Sequence, residues 1–387
     1  MAPERVMSES SLTPTTVDRL LDAAIRLFSK RWYSEVSVAD ICRTAGVSNG
    51  IFYRYYRGKE AIFRELIERY LTLLSEALAG LDGYTGLDGL RRFIDCVFHI
   101  TGHQRDLVSI FREGQYRFYE YERRLAQLYS GRLEQILGRR ISPSEHIFLL
   151  AGTRFLAFRS VWNGANFDTG QILTIMTRGL FPDAPLQTES VFEGDITPPA
   201  MQLSRDTVQR LLQAGKALFG KRGYHDVNIH EITDAAQVGV GTFYNYFQSK
   251  EAFAEAVIEL VSTEIRTFIR RNLRHDDHPA LRELRGMLLF SFYITAIDRS
   301  CYNIVREGEF VVPDAVRRYY DAFESGYHHR AADFRDLDVG IAANFLMGLS
   351  HYLGLELLYD GNTNRAQHLI NGLAGHLKHG IRMEDIQ

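Results

Sequence analysis

Apolar residues recur every three to four positions along most of this chain, which is the spacing of one face of an α-helix. Near the start, six of them fall on one helical stripe: Val17, Leu20, Leu21, Ala24, Ile25 and Phe28. Longer stretches at 115–140 and 145–162 keep the same period, and the short β-prone segments inside them lack flanking turn signals. Only nine prolines interrupt the 387 residues. We therefore expect an all-α protein.

The helical pattern occurs twice, at a constant separation of 191 residues. Without a gap, 21 of the 45 positions from 17 to 61 are identical in the stretch from 208 to 252. Farther along, Arg112-Glu113-Gly114 matches Arg306-Glu307-Gly308 at a separation of 194. Because both the N-terminal blocks and the later segments match, we interpret the chain as a tandem duplication of one whole unit.

Each N-terminal block carries the turn signals of three short helices. Ser37 begins a capping box, Asn228 begins the equivalent one in the second copy, and a tight turn at 46–48 precedes the third helix. Two short helices across a tight turn are typical of a helix-turn-helix, and a hairpin that only packs is the alternative. Hydroxyl and cationic side chains crowd 53–59, which favours the first interpretation because they suit phosphate oxygens.

Residues 182–203 hold four of the nine prolines and little periodic apolar pattern, which is typical of a linker. We therefore predict five segments. They are a first helix-turn-helix block at 13–60, a helical domain at 61–182, a linker at 183–203, a second block at 204–251 and a second helical domain at 252–387.

Composition narrows the classes of function. A net charge of −3 with 45% hydrophobic and 24% charged residues fits a globular protein and indicates no partner by charge alone. Three widely spaced cysteines and the lack of an apolar leader or membrane-length segment predict a soluble cytoplasmic protein without membrane contact. No nucleophile, phosphate loop or paired-carboxylate pattern occurs in the sequence, so we expect no enzyme activity, no catalytic residues and no cofactor.

Two sets of residues are candidates for a metal site: a triad at 95–103, and His376 with His379, which would share a helix face. Asp95, His99 and His103 recur every four residues and would share a helix face. Solvated or core histidines are the commoner explanation of such spacing, and we predict no metal.

Both N-terminal blocks resemble the DNA-binding domain of TetR/AcrR-type transcriptional regulators. The first reads LLDAAIRLFSKRWYSEVSVADICRTAGVSNGIFYRYYRGKEAIF and the second LLQAGKALFGKRGYHDVNIHEITDAAQVGVGTFYNYFQSKEAFA. The resemblance implies a third helix in the major groove of double-stranded operator DNA, with tyrosines and a lysine on phosphates. Carried over by position, the DNA-binding residues would be Ser37, Ser48, Asn49, Gly50, Ile51, Tyr53, Arg54, Tyr55 and Lys59, then Asn228, Gly239, Val240, Gly241, Thr242, Tyr244, Asn245, Tyr246 and Lys250.

The two third helices present different residues, which predicts an operator with two unlike half-sites. Arg54 suits guanine and Asn245 suits adenine. Residues 13–70 carry ten basic and seven acidic side chains, net +3, whereas residues 204–261 carry six and seven, net −1. The first block therefore has the more favourable field for DNA. The alternative is a second block that has become a structural partner.

Three departures from the family pattern bear on the turns. Trp32 stands where the second copy has Gly223, and a left-handed C-cap is costly for a bulky residue, so we expect a remodelled turn. Gln237 replaces the turn glycine kept as Gly46, and Gly239 replaces a capping serine. These last two changes weaken the case for the second DNA site.

The resemblance also implies helical regulatory domains that enclose a ligand pocket and dimerise through their last two helices. Those helices would be 145–162 with 169–180, and 338–358 with 364–378. Since one chain holds both halves, we predict a single-chain pseudo-dimer, with a chain-to-chain dimer as the alternative.

A pocket in these domains would hold a small, largely apolar or aromatic effector. Arg112 and Arg306 would hold an anionic head group or, by the favoured interpretation, form internal Arg–Glu pairs. The pocket candidates are Phe93, Phe98, Phe111, Arg112, Tyr116, Phe155, Phe292, Tyr293, Tyr302, Arg306, Phe310 and Phe345.

The sequence is compatible with two classes of function. One is a ligand-responsive regulator, favoured as a repressor that releases DNA when the effector binds. The other is a helical small-molecule binder or enzyme with vestigial DNA-binding blocks. The retained Tyr, Lys and Gly positions favour the regulator.

Overall fold

The computed structural model describes residues 14–199, 206–274, 278–360 and 363–381, without the side chains of residues 116, 359–360 and 363–364. Within these ranges the regular secondary structure is helical and contains no strand, which confirms the predicted all-α class. The helices form two consecutive units of the same design, as the duplication predicts.

The first unit and the connecting segment contain eleven α-helices in the described ranges. They are α1 Thr16–Phe28, α2 Val38–Ala45, α3 Asn49–Tyr55, α4 Lys59–Ala79, α5 Gly86–His103, α6 Arg105–Arg117, α7 Tyr119–Leu137, α8 Pro143–His146, α9 Gly152–Asn163, α10 Thr169–Arg178 and α11 Glu189–Phe192. A 3-10 turn, Tyr33–Glu35, lies between α1 and α2, and a π-helical segment, Ile147–Ala151, joins α8 to α9.

The second unit repeats this order. Its described helices are α12 Thr207–Arg222, α13 Ile229–Ala235, α14 Val240–Tyr246, α15 Lys250–Asn272, α16 Pro279–Phe292, α17 Ser300–Val311, α18 Pro313–His328, α19 Val339–Asp360 and α20 Thr363–His379. A π-helical segment, Tyr293–Ile297, extends α16, and a 3-10 turn, Ala331–Phe334, precedes α19.

The last two helices of the units pack against each other, and two glycines allow the closest approach. Gly152 of α9 and Gly348 of α19 meet where the helices cross. A Cβ at Gly348 would lie 2.7 Å from the Phe155 Cβ and 2.8 Å from the Ala151 carbonyl oxygen. Only residues without a side chain permit this distance between the helix backbones.

The ends of α10 and α20 exchange backbone hydrogen bonds. The Leu180 and Phe181 amides donate to the Leu377 carbonyl at 2.8 Å, and the Ile381 amide donates to the Met176 carbonyl at 2.7 Å. Helices α9, α10, α19 and α20 thus form a continuous layer between the units.

The proline-rich connection also packs against the second unit. Val191 is fully buried, and its carbonyl accepts a hydrogen bond from Arg285 Nη1 at 2.7 Å. The Thr197 amide donates to Asn272 Oδ1 at 2.7 Å, and Asn272 Nδ2 donates to the Thr197 carbonyl at 3.1 Å. Backbone contacts of this kind tie the described part of the connection to α15 and α16.

One helix in the described ranges, over Val339–Leu358, has the length and apolar composition of a membrane span. It is 78% buried, because α9, α16 and α18 pack against it. Its apolar composition therefore reflects its place in the core between the units.

Candidate nucleic-acid interface and ligand pocket

Helix α3 presents the predicted DNA contacts on one open surface. Ser48 caps it by accepting a hydrogen bond from the Ile51 amide at 3.4 Å, and Phe52 is its one buried residue. The Phe52 ring inserts into the block beside Tyr56, at 5.5 Å between centroids. Of the predicted contacts in this block, Ile51 and Lys59 are partly buried and the following are exposed: Ser37, Ser48, Asn49, Gly50, Tyr53, Arg54 and Tyr55.

Helix α14 repeats this arrangement with other residues. Phe243 is its one buried residue, and Gly239 stands at the N-cap without a side-chain hydrogen bond, as its sequence predicts. Val240, Thr242 and Lys250 are partly buried, and the exposed predicted contacts are Asn228, Gly239, Gly241, Tyr244, Asn245 and Tyr246.

Four tyrosines stand out on these surfaces. Tyr53 and Tyr55 are 59% and 51% exposed, and Tyr244 and Tyr246 are 53% and 52% exposed. Large rings are usually covered in a folded domain, so matched exposure at equivalent positions indicates a surface that binds a partner.

The lysines that begin α4 and α15 face the preceding turns. Lys59 Nζ donates to the Tyr33 carbonyl at 2.8 Å and lies 4.2 Å from the centroid of that ring. Lys250 Nζ lies 4.0 Å from the Tyr224 centroid. Burial lowers the pKa of both ammonium groups. These contacts hold each lysine against its turn, and its role on phosphate stays a prediction.

The turns at Trp32 and Gln237 have conformations that reflect these departures from the family pattern. Helix α1 ends at Phe28, and Trp32 has a φ of −56°, whereas Gly223 has a φ of +86°. The tryptophan therefore avoids the left-handed conformation through a remodelled turn. Gln237 cannot avoid it, since its φ of +55° matches the +65° of Gly46.

The remodelled turn also joins the two units. The Trp32 ring lies 5.3 Å from that of Phe310, and Glu35 Oε1 lies 3.0 Å from His225 Nδ1. Burial lowers the pKa of His225, and the Glu35 carboxylate opposes that shift. The two DNA-binding blocks thus contact each other directly, a feature without a periodic or motif signal in the sequence.

The repeated Arg-Glu-Gly motif positions the DNA-binding blocks. The Tyr33 amide donates to Glu113 Oε1 at 2.8 Å, and the Tyr224 amide donates to Glu307 Oε2 at 2.6 Å. Each glutamate therefore holds the turn that follows the first helix of its own block. Burial raises the pKa of both carboxyls, that of Glu113 to about 8.

The glycine of the motif permits close helix packing. A Cβ at Gly114 would lie 2.4 Å from Ile67 Cδ1, and one at Gly308 would lie 2.9 Å from Val316 Cγ2. The glycine thus brings α6 against α4, and α17 against α15 and α18.

The arginines of the motif meet between the units. Arg112 Nη2 lies 3.0 Å from Glu309 Oε1, Arg306 Nη1 lies 2.8 Å from the same oxygen, and Arg306 Nη2 donates to the Arg112 carbonyl at 2.7 Å. Both guanidinium groups are buried. The favoured internal-pair interpretation holds, but the partner is Glu309 and not the neighbouring glutamate, which is turned toward its block.

A pocket of about 690 Å³ opens in the second unit between α15, α16, α17, α18 and α19. Phe155 of the first unit completes its wall. Of the predicted pocket residues, Phe155, Tyr302 and Arg306 line it, together with unpredicted aromatic residues that include Phe290, Tyr320 and Phe323.

The other predicted pocket residues do not line this cavity, and the physical reason is packing. Phe345 lies against Phe148 at 5.4 Å, Tyr293 against Phe268 at 5.4 Å, and Phe111 against Tyr70 at 5.1 Å. A role in ligand binding stays a prediction for the residues that other contacts bury or that lie off this wall: Phe93, Phe98, Phe111, Arg112, Phe292, Tyr293, Phe310 and Phe345. The side chain of Tyr116 lies outside the described part of the structure.

A second pocket, of about 820 Å³, lies between α7, α8, α9, α19 and α20. Arg154 pairs there with Glu122, and Arg365 pairs with Glu356. Paired charges line the first pocket as well, where Arg330 Nη1 lies 2.6 Å from Glu283 Oε1.

Two helix-turn-helix blocks with exposed third helices, each followed by a helical domain, define a DNA-binding regulator. The profile of bacterial regulatory proteins of the tetR family matches residues 20–66 and 211–257. The chain is 30% identical over 135 residues to the uncharacterised HTH-type transcriptional regulator YvdT of Bacillus subtilis, covering 68% of YvdT and 33% of this chain. The chain belongs to the tetR family.

Other relatives are matched over shorter stretches. The HTH-type transcriptional repressor DhaR of Mycobacterium sp. is 34% identical over 90 residues, which is 44% of DhaR and 23% of this chain. The chain thus spans less than half the length of that curated relative. Among solved structures, FadR of Bacillus halodurans, a fatty acid degradation regulator, aligns with 47% of this chain and 99% of its own at 14% identity and a TM-score of 0.39.

Proposed function

We propose that this protein is a ligand-responsive transcriptional repressor in which one chain supplies both DNA-binding blocks of a dimer. The observation that carries this proposal is the pair of exposed third helices on units that pack through α9, α10, α19 and α20. Two copies related by an internal duplication take the place of two identical subunits. We place its action in the cytoplasm, where an operator is accessible.

The operator has two unlike half-sites. Arg54 of α3 is an exposed guanidinium suited to guanine, whereas the equivalent position in α14 is Asn245, whose amide suits adenine. The exposed tyrosines and the block lysines contact phosphates and fix the register of each helix. A single chain therefore binds an asymmetric site where a homodimer binds a palindrome.

Release follows from binding of a small, largely apolar molecule in the 690 Å³ pocket. The pocket is lined by α17, and α17 carries Glu307, which holds the turn of the second DNA-binding block. A ligand that favours another position of α17 changes the placement of α14 on DNA.

Selection of bound sequences from random double-stranded DNA tests this function. The proposal predicts one enriched motif with two different halves. Operators rebuilt as palindromes of either half should bind at least about tenfold more weakly than the natural order, since each lost base contact costs about 1–3 kcal/mol. Failure to enrich any motif would favour the alternative of a helical small-molecule binder or enzyme with vestigial blocks.

Substitution of the exposed base-reading residues separates the roles of the blocks. Arg54→Ala should weaken binding to one half-site and Asn245→Ala to the other. If Asn245→Ala leaves the affinity for every operator unchanged, the second block is a structural partner that does not bind DNA. Binding of two chains to one operator would instead support the chain-to-chain dimer.

A further inference from the structure

The positions of the first unit that correspond to two residues of this pocket hold different side chains. The Arg-Glu-Gly repeats align Val305 with Phe111, and the crossing glycines align Ser350 with Arg154. Val305 and Ser350 line the pocket. In the first unit, the buried Phe111 packs on Tyr70, and Arg154 forms an ion pair with Glu122 at 2.6 Å. The first unit thus has a larger buried ring in place of Val305 and, in place of Ser350, a charged pair that lines the second pocket.

The inner end of the pocket holds a hydrogen-bonded tyrosine–histidine pair beside the ion-paired Arg306. Tyr302 Oη lies 3.0 Å from His351 Nε2, and both side chains are buried. Burial, reinforced by the nearby Arg112 and Arg306, holds the pKa of His351 well below its usual range, so the imidazole is neutral. Arg306 is held by Glu309 and by a backbone carbonyl. Tyr302 and His351 therefore suit a neutral hydrogen-bonding group, and the aromatic walls suit an apolar body.

A chain of contacts connects the wall of this pocket to both DNA-binding blocks. Arg306 lines the pocket and shares the single carboxylate of Glu309 with Arg112 of the first unit. The residue that follows each arginine is the glutamate that holds a DNA-binding block by a backbone amide. At the position of Glu309 the first copy has Gln115, so this one carboxylate serves both arginines.

We propose that each chain binds one effector molecule, in the second unit only, and that this one site controls both DNA-binding blocks through the Arg306–Glu309–Arg112 bridge. The ligand is an uncharged, largely aromatic compound with a hydroxyl or carbonyl group for Tyr302 and His351. The biological role of this site rests on the proposed function, whereas ligand binding and its coupling to the blocks can be measured without DNA. A shift of Arg306 changes the surroundings of Arg112, because one carboxylate oxygen contacts both guanidinium groups.

The stoichiometry can be measured with Nile red, an uncharged aromatic dye that carries a carbonyl group. Fluorescence titration of the full chain should saturate at one dye per chain. Gly286→Leu should weaken binding by at least about tenfold, because Gly286 lines the pocket and a Cβ there meets open space, so the side chain fills the cavity without a backbone clash. The matched control is Gly131→Leu on α7, where a Cβ also meets nothing.

Val305→Phe copies the residue of the first unit and should have the same effect as Gly286→Leu. Two dyes per chain, no dye binding, or unchanged affinity in both pocket variants would overturn the single site. Tighter binding of the anionic dye anilinonaphthalene sulfonate than of Nile red would overturn the ligand class.

Hydrogen–deuterium exchange of the amides of Tyr33 and Tyr224 measures the coupling. Saturation with Nile red should change exchange at both by at least about twofold, since each amide is held by a glutamate next to a bridged arginine. The same dye concentration should change neither amide in Gly286→Leu. A change confined to Tyr224, or none, would overturn control of both blocks. Loss of DNA binding with these results intact would refute the proposed function alone.

Discussion

Replacing Gly348 by alanine tests the packing between the two units. Gly348 lies inside α19, where alanine alone would stabilise the helix by about 0.8–1.0 kcal/mol relative to glycine. The added Cβ would however lie 2.8 Å from the Ala151 carbonyl oxygen and 3.0 Å from the Gly152 Cα. These are backbone atoms of the first residue of α9 and of the π-helical segment before it, and they cannot rotate away as a side chain does. The two helices must therefore separate.

The sign of the effect follows from the two magnitudes. Overpacking a close contact costs about 1–3 kcal/mol, and the upper part of that range applies where backbone atoms are the obstacle. After subtraction of the helix propensity, Gly348→Ala should lower the free energy of unfolding by about 1–2 kcal/mol. Urea denaturation followed by circular dichroism measures this quantity.

Gly375→Ala is the matched control. Gly375 lies inside α20, and a Cβ there would meet no atom within 4 Å. This variant should raise the free energy of unfolding by up to about 1 kcal/mol, since only the propensity acts. Equal stabilisation by both substitutions would refute the close crossing of α9 and α19.

Four further substitutions test separate parts of the structure. Burial raises the pKa of Glu113 to about 8, so its carboxyl binds a proton more tightly in the folded state, and the stability that this proton contributes is lost as pH rises from about 4.5 to about 8. Over that interval, urea titrations should show Glu113→Gln gaining stability relative to the unsubstituted protein. A difference in stability that stays constant with pH would contradict the raised pKa. Gln237→Gly should stabilise the fold by about 0.5–1 kcal/mol, because the φ of +55° is strained for glutamine. Gly46→Gln should destabilise the fold by a similar or larger amount. Melting temperatures that shift in the same direction for both variants would contradict this reasoning. Arg54→Ala should weaken operator binding by about 1–3 kcal/mol, and the loss should be confined to one half-site. Fluorescence anisotropy on half-site variants measures this affinity. An equal loss for all operators would mean that Arg54 contacts a phosphate and not a base.

The class of fold could be predicted because its signals are local. Apolar stripes and capping boxes depend on residues close in sequence, and the structure has Ser37 and Asn228 as N-caps with capping boxes. The 191-residue repeat then shows that the same local signals occur in both units. The lack of a side-chain cap at Gly239 follows in the same way from the aligned copies. Local chemistry determines such features before the chain packs.

The pocket could not be predicted from aromatic content, because packing decides which rings face a cavity. Phe111 and Val305 occupy equivalent positions, yet one fills a core and the other lines a pocket. The partner of Arg112 lies 197 residues away, at Glu309, and the neighbouring Glu113 is turned toward Tyr33. Such pairings depend on how the two units pack against each other, and the residue spacing within either copy does not predict that packing.

The most direct test of the account is the number of chains bound to one selected operator. Light scattering of the complex with DNA should give one chain per operator, with two unlike half-sites protected in footprinting of the same complex. Two chains on one operator, or equal affinity for a palindrome of either half-site, would contradict the claim that a single chain replaces a dimer.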